Sequence, residues 1–351
     1  MAPYESTLDE EPMPALRLGY KASAEQFPPR RLLELAVAAE AAGFDSVWTS
    51  DHFQPWRHTD GHAPNALVWL GAAAIATSRV TLGTSVLTPS FRYNPAVVAQ
   101  AFATLGCLAP GRVILGVGTG ESMNEVPVGV AWPEQSERFA RLKEAVQLIQ
   151  ALTAPGAEFV DWEGTYYKTH EATIYDKPEV PVPVYIAASG PAAARLAGRI
   201  ADGLICTSGK GAALYTDTLL PAVAEGAEKE GRDASTLDRM IEMKVSFDPD
   251  RARAMEDTKV WAALALSSEA KMGIHDPRDL EIAARAAESI AHTRWLVSDD
   301  PDEHLEQVAT YIGYGFRHLV FHFPGPDQEA AIARYGELIL PRLRDRFGGD
   351  G

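Results

Sequence analysis

Cysteine is scarce in this chain: 351 residues contain two, Cys107 and Cys206. Two thiols make no disulfide framework, so the fold has to rest on a packed core, and the pattern suits a reducing cytoplasm. Each sits among apolar neighbours and reads as a small core residue. Long apolar runs are missing too, and nothing approaches the roughly 20 residues that a bilayer-spanning helix needs. Positive charge is in deficit: 32 Lys and Arg against 48 Asp and Glu give a formal net charge of −16. A nucleic-acid backbone or an anionic membrane would be repelled overall. A phosphorylated metabolite stays open, provided the cations gather in one place. Linkers of the Gly/Ser or Pro-rich kind are absent as well. One domain over 15–348 is therefore expected, behind an acidic, proline-bearing N-terminal extension at 1–14 that is not a targeting peptide.

What the chain does have is a rhythm of short apolar strands and helical patterns. LRLGYKA (16–22) reads as a first strand, and the next segment sets Leu32, Leu35, Ala36 and Ala39 on one helical face, with Gly43 as the stop. SVWTSD (46–51) is the second strand, with its helix over 66–76; VTLGTSVL (80–87) is the third, with a helix over 96–105. RVILGVGTG (112–120) is the fourth, followed by a helix carrying Phe139, Leu142, Val146 and Ile149. VPVYIAAS (182–189), ADGLICTSG (201–209), MIEMKVSF (240–247) and HLVFHF (318–323) complete eight strands, with helices over 191–200 and toward residue 344. Strands that are continuous and apolar rather than alternating belong to a sheet covered on both faces. Eight β–α repeats predict a closed parallel TIM barrel rather than an open doubly wound sheet. Two stretches break the rhythm: 155–178 reads as a hairpin inserted before the fifth strand, and 250–293 as a helical insertion between the seventh and eighth.

In such a barrel the active site lies at the C-terminal ends of the strands, and polar residues stand at nearly every one. Glu25 follows the first strand, SDHFQPW (50–56) puts Asp51, His52 and Trp56 after the second, and Ser85, Val86 and Thr88 end the third. GTGE brings Thr119 and Glu121 to the fourth, with Asn124 behind them; Ser189 and Gly190 end the fifth, and TSGKG brings Thr207 and Lys210 to the sixth. An imidazole titrates near neutrality and a carboxylate can be tuned by burial, so His52 and Glu121 can supply an acid and a base between them. In TSGKG the amides of 208–211 can converge on an anion with a lysine in reach. Lys271 in the helical insertion and Arg294 before the eighth strand add cations, which suits a phosphate dianion if the three segments converge. Plainer readings exist for each: a structural histidine, a helix N-terminal acid at Glu121, a tryptophan lid over the core. GVGTGES lacks the third glycine of a dinucleotide fingerprint, and HTDGH lacks a third metal ligand, so neither NAD nor a metal is expected.

The strings LGYKASAEQF, SDHFQPWRH, GHAPNAL, LGTSVLTPSFRYNPAVVAQAFATL, GVGTGE, AWPE, VPVYIAA, ICTSGKG, RW and HLVFHFPG resemble, in order from about residue 16 onward, the F420-dependent glucose-6-phosphate dehydrogenases of the luciferase-like superfamily. The resemblance implies a TIM barrel, usually homodimeric, that uses coenzyme F420, an 8-hydroxy-5-deazaflavin that takes up hydride. It implies that Asp51, Thr88, Thr119, Asn124, Ser189 and Gly190 contact the coenzyme, with a non-proline cis peptide at Ser85–Val86 behind its ring. Thr207, Lys210, Lys271 and Arg294 would hold the sugar 6-phosphate. The implied reaction takes the C1 hydroxyl to the lactone, with His52 and Glu121 as acid and base in an order left open. Glu25 and Asp51 would orient His52, and Trp56 would pack against sugar or ring.

Three departures from the family pattern stand out: Ser189 where a glycine is usual, Met272 where a histidine is usual, and a shortened loop over 121–134. With all four phosphate positions retained, they point to a remodelled hexose pocket that admits fructose or mannose 6-phosphate beside glucose 6-phosphate. The alternatives are an F420-dependent oxidoreductase acting on a non-sugar substrate, an FMN monooxygenase, and a cofactor-free phosphosugar-binding or isomerising barrel. The first would leave Lys210, Lys271 and Arg294 unpaired.

Overall fold

Eight parallel strands close on themselves in the computed structural model, which describes residues 15–348; the segment 1–14 lies outside the described residues. The strands are β1 (Arg17–Ala22), β2 (Ser46–Thr49), β3 (Thr81–Thr84), β4 (Val113–Val117), the antiparallel hairpin β5 (Val160–Glu163) and β6 (Lys168–Ala172), β7 (Val184–Ala187), β8 (Gly203–Thr207), β9 (Asp238–Phe247), β10 (Leu296–Ser298) and β11 (His318–His322). The barrel runs β1-β2-β3-β4-β7-β8-β9-β11 and closes because β11 pairs with both β9 and β1. β10 lies outside that ring, parallel to the last residues of β9. The hairpin falls inside 155–178, and the insertion after β9 is a run of short helical turns from Arg251 to Arg294, both as expected.

Helix Pro29–Ala41 buries Leu32, Leu35, Ala36 and Ala39, the face that the spacing predicts, and Gly43 ends it at φ +93°. Helices Leu220–Lys229 and Pro301–Gly313 fall in stretches that the periodicity leaves unassigned. The first escapes notice because it meets helix Pro191–Ile200 through glycines. A Cβ on Gly198 would stand 2.1 Å from the Val223 carbonyl oxygen, and one on Gly226 would stand 2.1 Å from that of Arg195. Small residues make that seam, so no large apolar stripe marks it. Cys206 is buried as expected, and burial pushes its thiol up. Cys107 is exposed instead: helix Pro95–Leu108 buries Val98, Ala99, Phe102, Ala103, Leu105 and Gly106, and position 107 faces away from them.

Strand alternation divides the barrel interior into layers, which corrects the expectation of uniformly apolar strands. The middle layer packs Trp48, Ile114, Tyr185, Ile205, Met240 and Val320. Trp48 reaches the centre because residue 83 is glycine; a Cβ there would stand 2.5 Å from the indole. At the closed end Asp238 accepts from Tyr185 (2.7 Å) and from His318 Nδ1 (2.8 Å) and pairs with Arg17. His318 Nε2 lies 2.8 Å from Ser46 Oγ, which also accepts from Trp48 Nε1 at 3.0 Å. Ser46, His318 and Asp238 thus line up like a nucleophilic triad, but Ser46 and His318 are fully buried (0% exposed), so the chain ties strands together rather than attacking a substrate.

Burial alone would raise the Asp238 carboxyl, yet His318 and Arg17 hold it far below the usual range. Its stabilising contribution is therefore present above the unfolded-state value, near pH 4, and is lost as pH falls further. Asp238→Ala strands three partners and is expected to lower stability by about 3 kcal/mol at neutral pH. A urea unfolding midpoint unchanged from wild type would contradict that role.

Candidate active site

The loops at the C-terminal ends of the strands bring His52 between two carboxylates. Its Nε2 lies 3.2 Å from Glu25 Oε1 and 3.6 Å from Glu121 Oε2. Its Nδ1 faces the Gln54 carbonyl at 3.1 Å and the Asn124 amide at 3.4 Å. Ser50 Oγ donates to Glu25 at 2.6 Å, fixing the buried acid from its other side. Burial would push the Glu25 carboxyl up, but His52, Lys21 and the Ser50 hydroxyl hold it below its ordinary range. The burial expected to tune Glu121 falls on Glu25: the Glu25 side chain is 6% exposed and that of Glu121 47%. Trp56 sits with its ring 5.8 Å from the His52 ring, under the ammonium of Lys271 at 5.5 Å. It also packs with Met123, Ala263 and Leu280, which docks the helical insertion onto the barrel mouth.

Asp51 reaches the neighbouring His52 through its charge rather than through a hydrogen bond. Its carboxylate is taken by Arg92 and by the Tyr93 hydroxyl (3.2 Å), and Arg92 also grips Glu125. Asp51 is 4% exposed, and burial raises its carboxyl although Arg92 opposes the shift. Asn124, also buried, spends its side-chain oxygen on the amides of Phe53 (3.0 Å) and Gln54 (3.3 Å). Both residues thus brace the loop that carries His52. The Ser85–Val86 peptide is cis. Lys21 Nζ donates to the Ser85 carbonyl at 2.6 Å, and Ser85 Oγ donates to Glu242 at 3.1 Å. Val86 and Ala187 are only partly covered although they pack on the interior layer, which leaves an apolar floor beside Thr119, Ser189 and Gly190. Thr88 is buried beneath Gly120, where a Cβ would stand 2.9 Å from it. An apolar floor with polar residues beside it fits one face of a planar heteroaromatic ring.

The cations do converge. Arg294 donates from Nη1 to the Gly209 carbonyl at 2.9 Å and keeps a buried Nε without a partner. Partial burial and then Arg294 lower the proton affinity of Lys210. Burial also lowers Lys271, with Arg294 and Lys210 adding to the effect and Glu121 opposing it. TSGKG does not form the expected amide cradle. Its N–H groups at 208, 209 and 210 are used by the Glu242 carbonyl, the Tyr311 hydroxyl and the Tyr215 hydroxyl. The loop offers side chains instead, those of Thr207 and Lys210, both exposed at the mouth. Met272, next to Lys271, is 78% exposed.

Sequence reasoning missed a buried ionic row under this cluster. Glu242 Oε2 lies 3.1 Å from Lys21 Nζ, and Glu242 Oε1 lies 3.8 Å from Lys244 Nζ and 3.7 Å from His322 Nδ1. Burial would raise Glu242, but Lys21, His322 and Lys244 hold it well below the ordinary range. The missed signal lies in MIEMKVSF, where charges two residues apart mark one face of a strand otherwise apolar. Arg92 left no such mark, because its partners lie 41 and 33 residues away.

The profile of the luciferase-like monooxygenase family matches residues 15–318. The F420-dependent glucose-6-phosphate dehydrogenase of Beutenbergia cavernae is 66% identical over 333 residues, covering 94% of this chain and 98% of that protein. This chain belongs to the luciferase-like family, in its branch of F420-dependent glucose-6-phosphate dehydrogenases. The namesake from Nakamurella multipartita is 64% identical over 336 residues, 95% of this chain and 98% of that protein. Among solved structures, an F420-dependent secondary alcohol dehydrogenase in complex with an F420-acetone adduct superposes with a TM-score of 0.89 at 35% identity, covering 94% of this chain and 100% of that one.

Because the lowered lysines lose their protons earlier than an ordinary lysine, anion binding here is expected to weaken as pH rises through that range. Calorimetric titration with inorganic phosphate from about pH 7 to about pH 10 reads this directly. A flat affinity across the range would show that Lys210 and Lys271 do not carry the binding.

Proposed function

We propose that this protein oxidises the C1 hydroxyl of glucose 6-phosphate to the lactone, with hydride passing to coenzyme F420. One observation carries the reading: a proton-handling trio, His52 with Glu25 and Glu121, shares one barrel mouth with a cluster of cations, and Lys271 over Trp56 joins the two. A sugar phosphate needs both, a dianion anchor at one end and a proton acceptor at the other. The floor at Ser85, Val86 and Ala187, with Thr88, Thr119, Ser189 and Gly190 around it, would hold the ring of the coenzyme. Asp51 and Asn124 support that site through the loop they brace. Thr207, Lys210, Lys271 and Arg294 would hold the phosphate.

When bound, the coenzyme supplies a carbon that accepts two electrons as hydride. Everything else falls to side chains. Lys210, Lys271 and Arg294 fix the phosphate and so direct the anomeric carbon toward the floor. The proton leaving the C1 hydroxyl is taken within the His52–Glu121 pair: the Gln54 carbonyl accepts from His52 Nδ1, which leaves Nε2 to bind a proton, and Glu25 and Glu121 flank the imidazolium that results. Glu121, half-exposed at the rim, exchanges that proton with solvent.

Mannose 6-phosphate differs only at C2 and keeps a hydrogen on the anomeric carbon, so it is the second sugar this pocket would admit. Fructose 6-phosphate has no hydrogen on its anomeric carbon, and oxidising it needs another carbon in reach. No helix among the described residues is long and apolar enough to cross a membrane, and a cytoplasmic site of action suits the two free thiols. Homodimerisation has a physical basis in helices Ala66–Ala76 and Pro95–Leu108, which leave Val68, Ile75 and Val97 mostly exposed.

Purified protein mixed with oxidised F420 is expected to bleach the deazaflavin absorbance with glucose 6-phosphate and not with free glucose. Bleaching by a secondary alcohol with no response to any sugar phosphate would move the substrate to the non-sugar class. His52→Asn is expected to lower kcat by roughly 10²–10⁴ while coenzyme binding, followed by F420 fluorescence, persists. Retained turnover in that variant would remove His52 from the proton path.

A further inference from the structure

Three aromatic side chains cluster where β11 ends, and no step above uses them. Trp261 comes from the 3-10 segment Thr258–Ala265, Trp295 directly follows Arg294, and His322 is the last residue of β11. The His322 ring meets Trp261 edge-on at 4.6 Å and 86°, and Trp295 at 5.0 Å and 61°. All three are buried, with exposures of 5%, 6% and 3% respectively. Yet Trp261 Nε1, Trp295 Nε1 and both ring nitrogens of His322 have no hydrogen-bond partner. The carboxylate of Glu242 stands 3.7 Å from His322 Nδ1, beyond hydrogen-bond range. Buried donors are almost always satisfied, and four polar nitrogens left over in one cluster call for a partner that arrives from outside.

The chemistry of the set says what that partner is. Each indole only donates, a neutral imidazole donates once and accepts once, and the Glu242 carboxylate only accepts. Burial lowers the proton affinity of His322, and Glu242 opposes the shift. A phosphate dianion can only accept and would face Glu242, so it does not fit. Hydroxyl groups both donate and accept, so they do. The cluster also lies in the right place: His322 is level with Lys244 across β11 and β9, and Trp295 adjoins Arg294.

We propose that Trp261, Trp295 and His322, backed by Glu242, form a hydroxyl-binding subsite that reads the ring of a sugar phosphate while the neighbouring cations hold its phosphate. The inference rests on the sugar-phosphate reading of the site and adds the residues that tell one sugar from another. Trp261 and Trp295 meet the ring hydroxyls through their N–H groups, and His322 supplies both a donor and an acceptor. The neutral end of the ligand thereby satisfies atoms that are otherwise buried alone.

The test compares two ligands on the full chain by calorimetry, without coenzyme: glucose 6-phosphate and inorganic phosphate. Trp261→Phe and Trp295→Phe keep an aromatic ring in place but remove the N–H together with the five-membered part of the indole. Each is expected to weaken glucose 6-phosphate roughly five- to tenfold, the worth of one neutral hydrogen bond, and to leave inorganic phosphate within about twofold. Unchanged phosphate binding also reports that the variant is folded. Equal weakening of both ligands would assign the indoles to the phosphate clamp and overturn the subsite. Unchanged binding of both would mean that buried water satisfies the nitrogens, and would overturn it as well. Wild-type protein that binds glucose 6-phosphate no better than inorganic phosphate would refute the sugar-phosphate reading itself. Normal wild-type binding with indifferent variants would refute the subsite alone.

Discussion

The site depends on one buried carboxylate. Glu242 is the counter-charge for Lys21 and Lys244, two lysines that are even more buried than it is. Taking such a group out of water costs several kcal/mol per ion, and only mutual pairing offsets the cost. The pairing also has a geometric consequence. Lys21 on β1 holds the Ser85 carbonyl on the far side of the mouth, and Glu242 accepts from the Ser85 hydroxyl. The floor where a planar ring would lie and the cations that would hold a phosphate are therefore set against each other by a single side chain. Glu242 can do this because its strand is the longest in the barrel and pairs with β8 and β11 at once.

Charge is organised by layer. A molecule with a net charge of −16 gathers Lys210, Lys244, Lys271 and Arg294 at one end of its barrel, close enough that Lys210 and Arg294 lower the proton affinity of Lys244. Such crowding is unfavourable in the empty protein and is relieved by an anionic ligand, so stability lost at the mouth is available for binding. At the closed end the same barrel does the reverse: Asp238 satisfies Arg17, Tyr185 and His318 internally and leaves nothing over. One polar layer is complete and structural. The other is incomplete, with unpartnered nitrogens on His322, Trp261, Trp295 and Arg294. That difference marks which end does chemistry.

Two carboxylates flank His52 but stand in different surroundings. Glu25 is enclosed and receives the Ser50 hydroxyl, whereas Glu121 projects from the GTGE turn into solvent. The enclosed one is suited to hold the ring in place, and the exposed one to move protons. The helical insertion completes this wall. Glu281 accepts from the backbone of His58 and Thr59, and Leu280 packs with Trp56 and Met123, so Lys271 is presented over the mouth by packing of its neighbours.

Local pattern was enough for the barrel, for the hairpin and insertion, and for most strand-end residues, because strand and helix periods and turn glycines act within a few positions along the chain. It also placed His52, Glu121, Lys210 and Arg294 on the right loops. Pairing between distant segments was another matter. Nothing near Asp51 in sequence shows that Arg92 captures it, and nothing in TSGKG shows that its amides are taken by Tyr215, Tyr311 and the Glu242 carbonyl. Cys107 failed as a core residue for a related reason: an apolar neighbourhood in sequence does not say which side of the helix meets the sheet. The sequence by itself determined which elements form and which strand ends carry reactive groups. Only the tertiary structure decided which of those groups meet, because hydrogen bonds and charge pairs are set by distances of a few ångströms across the closed barrel, and these follow from its closure rather than from any local spacing.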